Sequence, residues 1–249
     1  MTAIDDDGVR ALGTILGLWA HPDDEAYLSG ALMARALKNG QRVVCATATR
    51  GEAGFPDLVS TTHDERAAIR VAELDACLAV LGVTEHHWLE YRDGQCDQVE
   101  VEEPVATLAA IIDTVDPDTV LTFGPDGMTG HVDHVAISRW TTLAFRKAAS
   151  ASARLFYATK TAQWNKRFIA AVDPDRVMMV EGLVPPATKP DELALWFHAD
   201  DHLADVKLQA LRCQASQLEP LLAQTDVAVF RDLNREEYFR APTSSDWGP

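Results

Sequence analysis

"TILGLWAHPDDEAYLSGALMARALKNGQRVVCATAT", residues 14–49, decides the fold. It opens on "TILGLWA" (14–20), apolar enough for a strand buried on both faces. "EAYLSGALMARALKNG" (25–40) follows with helical spacing and Gly40 as its stop. "RVVCATAT" (42–49) is a second buried strand. Strand, helix and strand in so short a space make a βαβ unit, with parallel strands and a right-handed crossover. Between the first strand and the helix stand His21, Pro22, Asp23, Asp24 and Glu25. An acidic first turn complements the helix dipole, and one acid can cap the helix. Those needs use one or two carboxylates and leave the histidine and a third acid unexplained.

Outward from this unit the alternation continues. "THDERAAIRVAELDACLAVLGV" (62–83) is a helix with an apolar stripe of Ala68, Val71, Ala72, Leu74, Leu78 and Leu81. "EHHWLEY" (85–91) reads as a strand, "PVATLAAIIDTV" (104–115) as a helix opened by Pro104, and "DTVLTF" (118–123) as a buried strand. "HVAISRWTTLAFRKAAS" (134–150) is a helix and "LFYAT" (155–159) a further strand. In the last third, "VMMVEGLV" (177–184) and "ELALWFHAD" (192–200) read as strands of an additional edge or small sheet. "DHLADVKLQALRCQASQLEPLLA" (201–223) is a helix expected to end or kink near Pro220, and "APTSSDWGP" a flexible tail. The expected class is α/β, a mostly parallel sheet flanked by helices. One domain spans 1–249, with a core over about 14–160 and a C-terminal elaboration over about 161–249.

A chain of 249 residues with 47% hydrophobic residues can bury a sizeable core, and its net charge of −16 repels phosphate backbones and anionic lipid. Neither nucleic acid nor membrane insertion is expected. The four cysteines, Cys45, Cys77, Cys96 and Cys213, show no CxxC spacing, which suits a reducing cytosol. "MTAIDDDGVRALG" has neither the basic nor the apolar region of a signal peptide, so the expected location is cytoplasmic.

Polar loops, three of them with glycine, follow the first four proposed strands: His21–Glu25, Arg50-Gly51-Glu52, Arg92-Asp93-Gly94 and "GPDGMTGHVDH" (124–134). In an open parallel sheet ligands bind beyond the carboxyl ends of the strands, so these loops converge on one crevice. His21 and Asp24, three apart, can offer nitrogen and oxygen to one cation while Asp23 projects elsewhere. His131 and His134 share one side of a helix start. An isolated HxxH is more often two solvated or core side chains, but this one faces another His/Asp loop. Two histidines and one carboxylate, with a position left for water, compose a catalytic zinc site. A carboxylate such as Asp23 then takes the water's proton, and a donor such as His131 serves the oxyanion or leaving nitrogen. Asp133 is expected to hold the His131 ring and raise its pKa.

"AHPDDE" (20–25) with the later GxDGxTGHxDH pattern (124–134) resembles the zinc-dependent N-deacetylases of the LmbE/PIG-L type, over roughly residues 14–220. The resemblance implies a Rossmann-like fold and one zinc per chain on His21, Asp24 and His134, with ferrous iron as the alternative metal in the cell. It implies Asp23 as general base and His131 as acid and oxyanion partner. The implied reaction is hydrolysis of a linear amide, removing acetate from an N-acetylglucosaminyl-type small molecule. "TATRGEAG" (47–54) implies that Arg50 and Glu52 border the pocket. Arg70 in "RVAEL" and Asp93 in "YRDG" match positions that contact substrate hydroxyls. An exposed helix charge, or an ion pair with Glu73 or Asp75, is the other account of Arg70. The chain departs from the family at "RDGQ" (92–95) and at Gln214-Ala215-Ser216-Gln217, both near the expected substrate rim.

Trp164, Phe168, Trp196 and Phe197 are read as core residues that could line a sugar, and Met178-Met179 as packing. Two rivals remain: an amidase for another N-acyl or thiol-conjugate substrate, and a nucleotide-binding module without catalysis. The second lacks both GxGxxG after the first strand and a P-loop. A GxSxG serine hydrolase elbow is also missing. A homo-oligomer is compatible with the sequence.

Overall fold

The computed structural model describes residues 2–55 and 60–247. In chain order the elements are α1 (Asp6–Arg10), β1 (Ile15–Trp19), α2 (Asp24–Lys38), β2 (Val43–Thr49), α3 (His63–Leu81), β3 (Glu85–Tyr91), α4 (Glu102–Val115) and β4 (Thr119–Phe123). There follow α5 (Gly127–Gly130, one irregular turn), α6 (Val132–Ala148), β5 (Arg154–Thr159), α7 (Ala162–Ala171) and β6 (Leu195–His198). The chain closes with α8 (Asp201–Cys213), α9 (Ala215–Leu222), α10 (Val227–Asn234) and β7 (Glu236–Arg240).

The seven strands form one sheet in the order β3-β2-β1-β4-β5-β7-β6. β1 to β5 are parallel, as the βαβ reading requires, and β7 runs antiparallel to both β5 and β6. Every residue of β1, β2 and β4 is buried, because helices cover both faces of this part of the sheet. At the edge, β3 is half-exposed and reads as polar and apolar residues intermixed. Thr62 and Glu65 form a reciprocal capping box that starts α3, and Gly40 at φ +82° follows the end of α2. α4 begins at Glu102, so Pro104 lies inside its first turn rather than opening it.

The C-terminal third departs from expectation. Residues 177–184 form no strand; they follow a short turn at Pro174–Arg176 as an irregular loop. β7 occupies the edge of β5 that such a strand would need. The strand expected over 192–200 is present as β6, an additional edge of the main sheet, while β7 over 236–240, between it and β5, had no counterpart in the sequence reading. The helix over 201–223 breaks at Gln214, between α8 and α9, and Pro220 is accommodated inside α9. Residues 241–247 are pinned rather than loose: Arg240 pairs with Asp246 at 2.6 Å, and Arg146 donates to the Trp247 carbonyl. Gly248 and Pro249 of the expected flexible tail lie outside the described residues. All four cysteines are free thiols. Among the described residues no helix is long and apolar enough to cross a membrane.

Candidate metal centre and active site

The β1–α2 loop and the start of α6 bring His21, Asp24 and His134 together. His21 Nδ1 lies 3.0 Å from His134 Nε2, Asp24 Oδ2 lies 3.6 Å from His21 Nδ1, and Asp24 Oδ1 lies 3.4 Å from His134 Nε2. The far side of each ring is committed. His134 Nδ1 faces the Gly127 carbonyl at 2.9 Å, and His21 Nε2 faces Asp93 Oδ1 at 3.0 Å and Asp133 Oδ2 at 3.1 Å. Those acceptors place the protons on His134 Nδ1 and His21 Nε2 and leave both opposing nitrogens as lone pairs. Two imidazole lone pairs and a carboxylate aimed at one point are the donors a divalent cation takes, so the residues present fit a metal.

Electrostatics point the same way. Burial pushes Asp24 up to about 7, against the lowering influence of His21, while Asp23 raises it further. Burial alone would lower His21, but hydrogen bonds to Asp133 and Asp93 and the charge of Asp24 raise it to about 10. Burial likewise raises Glu25 to about 8, helped by Asp23 and Asp24. Acids outnumber cations in this buried cluster; a second proton on His21, at Nδ1, offsets them in part, and a bound cation would displace that proton and take its lone pair. Burial lowers His134 well below the usual imidazole range, which keeps it a neutral ligand.

None of the acids caps α2 in the ordinary way. Asp23 occupies the cap position at φ +108° with no capping bond from its side chain. A non-glycine residue there costs about 1–3 kcal/mol, and such strain is concentrated at functional sites. Asp24 accepts the His21 backbone N–H, and Glu25 accepts that of Asp23. The Asp23 carboxylate instead meets Arg70 Nη2 at 3.1 Å. Burial raises Asp23 above the ordinary carboxylate range, and the Arg70 guanidinium opposes that rise.

Arg70 is buried, not an exposed helix charge. Its guanidinium also bonds the Pro22 carbonyl and pairs with Glu73 at 3.3 Å. The ion-pair account of Arg70 therefore holds for Glu73, and Asp23 is a second partner that sequence spacing did not suggest.

Asp133 corrects the expectation made for it. Its carboxylate serves His21 Nε2 and the backbone N–H groups of Gly94 and Cys96; only its backbone N–H reaches His131, donating to Nδ1 at 3.1 Å. The reason is local: His131 is the residue that caps α6, so its ring turns back onto the first turn while the Asp133 side chain points across to β1. The His131 pKa is lowered, not raised, by burial and then by the His21 charge, which outweigh Asp133. His131 is thus a neutral imidazole with Nδ1 accepting and Nε2–H free to donate. Three hydrogen bonds and the His21 charge hold the Asp133 carboxyl far below its usual range, despite burial.

Asp93 stands behind His21 with its other oxygen on the Ala53 N–H at 2.7 Å, and it also borders the cavity. Arg50 does not border the cavity: it pairs with Glu90 at 2.8 Å and stacks on Trp88 at the exposed edge. Glu52 does not line it either; its carboxylate accepts the Asp93 N–H at 3.1 Å, bracing that loop. Their neighbours Gly51 and Ala53 form the wall instead.

A cavity of about 700 Å³ extends from His21, Asp23, Asp24 and His131 towards an apolar end under α7. Trp164 and Phe168 line it, whereas Trp196, stacked on Tyr238 behind them, and Phe197, buried in the main core, do not. Met178 is buried, but Met179 is 60% exposed at the mouth, its N–H bonded to the Thr129 carbonyl. Lys160 and Tyr27 also border the cavity, and neither carried a pattern that would single it out in sequence. At the rim departures, Gln214 is buried in the α8–α9 break, and Gln217 bonds the Gly54 carbonyl beside the cavity.

Fold and site define a parallel α/β protein with a metal-binding cluster at the carboxyl edge of its sheet. Residues 16–145 match the family model described as PIG-L: GlcNAc-PI de-N-acetylase, and the chain belongs to that family. It is 32% identical, over 82% of its own length and 80% of the relative's, to the 1D-myo-inositol 2-acetamido-2-deoxy-alpha-D-glucopyranoside deacetylase of Acidothermus cellulolyticus. A relative from Catenulispora acidiphila with the same activity in its name is 36% identical, and the match covers 61% of this chain and 60% of that one. Among solved structures, the N,N'-diacetylchitobiose deacetylase of Pyrococcus horikoshii shares the fold at TM-score 0.62 and 23% identity, over 92% of this chain and 83% of that one.

Proposed function

We propose that the protein is a metal-dependent N-deacetylase that hydrolyses the acetamide of an N-acetylglucosaminyl-type small molecule, releasing acetate and a free amine. The observation that carries this reading is the meeting of His21, Asp24 and His134 lone pairs beside the Asp23 carboxylate. Kinship with relatives named as deacetylases of an acetamido-glucopyranoside supports it. We assign zinc to the site, because two imidazoles and one carboxylate compose a catalytic zinc site; the same donors also suit ferrous iron. A divalent ion bound there supplies Lewis-acid polarisation of the amide carbonyl and acidification of water.

The remaining chemistry belongs to the side chains. Asp23, its carboxyl raised by burial and steadied by Arg70, accepts a proton from the attacking water. His131 donates from Nε2 to the oxygen that gains charge as the carbonyl is attacked. Because His131 Nδ1 accepts the Asp133 N–H, that ring has no spare proton for the departing amine, and Asp23, once protonated, delivers it in place of the His131 expected from the resemblance. Asp93 and Asp133 act through His21, holding its ring and tautomer. The four free cysteines accord with a cytoplasmic enzyme.

The test is release of amine from N-acetylglucosamine conjugates by protein of measured metal content. Zinc near one equivalent per chain with turnover is the expected result. A metal-free preparation with undiminished turnover would sink the proposal.

A further inference from the structure

Lys160 directly follows β5, at the same carboxyl edge of the sheet as the loops of His21 and His131. It is 5% exposed and borders the same cavity. Its Nζ lies over the Trp164 ring, 4.4 Å from the centroid, and among the described residues no hydrogen bond or ion pair engages it. The charged groups that act on it are spoken for. Glu237 on β7 is bound by Lys207 of α8 at 2.6 Å, and Glu236 is bound by Arg167 at 3.0 Å and faces His198. A buried ammonium without a counter-charge is costly, and proteins seldom keep one unless something pairs with it.

We propose that Lys160 is a cationic subsite of the cavity. It takes an oxyanion, carboxylate or phosphate, that the substrate carries away from the amide to be cleaved, with the Trp164 face as the platform for the carbon skeleton between them. This assignment rests on the deacetylase reading, whose machinery occupies the other end of the same cavity. Burial, followed by repulsion from Lys207, lowers Lys160 to about 7, so an arriving anion restores its proton. The protein would then prefer acidic N-acetylated aminosugars over neutral ones.

Calorimetric titration of the metal-loaded protein at pH 8 tests this, with N-acetylmuramic acid, N-acetylglucosamine 6-phosphate and neutral N-acetylglucosamine as probes. The expected result is about 10- to 100-fold tighter binding of at least one acid, accompanied by proton uptake. The two acids separate a carboxylate subsite from a phosphate subsite. Lys160→Met erases the preference and the proton uptake, while Lys160→Arg retains the preference without the uptake. If Lys160→Met does not fold, Lys160→Gln and Lys160→Arg give the same contrast. Equal or absent binding of the acids by the wild type, or a preference that survives Lys160→Met, overturns the subsite. Amine release from the same compounds reads the deacetylase assignment separately. Acid preference without hydrolysis refutes that assignment alone, and hydrolysis without preference refutes the subsite alone.

Discussion

Two buried charge clusters lie along α2, and they are built oppositely. At the middle of the helix, Glu237 accepts the backbone N–H groups of Ala31 and Leu32 at 2.8 Å each and the Lys207 ammonium at 2.6 Å. Lys207 in turn donates to the Tyr27 carbonyl at 2.8 Å. One charge meets one charge, both carboxylate oxygens are satisfied, and the ion pair fastens β7 and α8 to the helix. At the N-terminal end, Asp23, Asp24, Glu25, Asp93 and Asp133 crowd round Arg70 and three imidazoles, with lone pairs left facing one another. Burial alone does not mark function. The closed pair is architecture, and the cluster with unspent donors and surplus negative charge is the site.

Single substitutions should separate the two. Asp23→Asn should lower kcat by about 10²- to 10⁴-fold with metal content unchanged, read by amine release beside elemental analysis. Near-full turnover would remove Asp23 from the mechanism. Lys207→Met leaves Glu237 buried and unpaired, so a loss of about 3–5 kcal/mol is expected in urea unfolding. Adding Glu237→Leu should restore only part of it, because the Ala31 and Leu32 N–H groups then lose their acceptor.

Metal removal acts on the other cluster. With ion at a hundred times its Kd, stripping it should cost about 2.7 kcal/mol of stability. Asp24→Asn should abolish that increment, while Lys207→Met should keep it. A metal increment that persists in Asp24→Asn would take that residue out of the ligand set.

A pH profile probes Asp23 itself. Its raised carboxyl is held down by Arg70, so its active, charged form is lost as pH falls through the folded pKa. Arg70→Gln should therefore move the acid limb of kcat/KM upward, by about 1–3 pH units. An unmoved limb would separate Arg70 from Asp23. The smallest effect belongs to Arg50→Ala, which breaks an exposed pair with Glu90 outside the cavity. Less than about 1 kcal/mol of stability should go, and kcat/KM should hardly change.

Much of the site was legible because adjacent residues carry it. His21, Asp23 and Asp24 lie on one loop and His131 and His134 on another, and a parallel sheet sends both loops to the same edge. Partners that meet across the fold were not legible. Asp133 turned to His21 instead of its neighbour His131, and Arg70 reached Asp23 from α3. Chain proximity predicted the first partner wrongly and missed the second. Lys160 stood in no motif at all.

The sequence by itself determined the parallel sheet and the donors at its carboxyl edge, because buried-strand runs, helical spacing and loop composition are local properties. Only the tertiary structure decided which strand took the free edge of β5, where the last helices broke, and which carboxylate held which imidazole. Those choices follow from competition for a sheet edge and for buried hydrogen-bond partners. Such competition is settled by neighbours far apart in the chain, and no local pattern records its outcome.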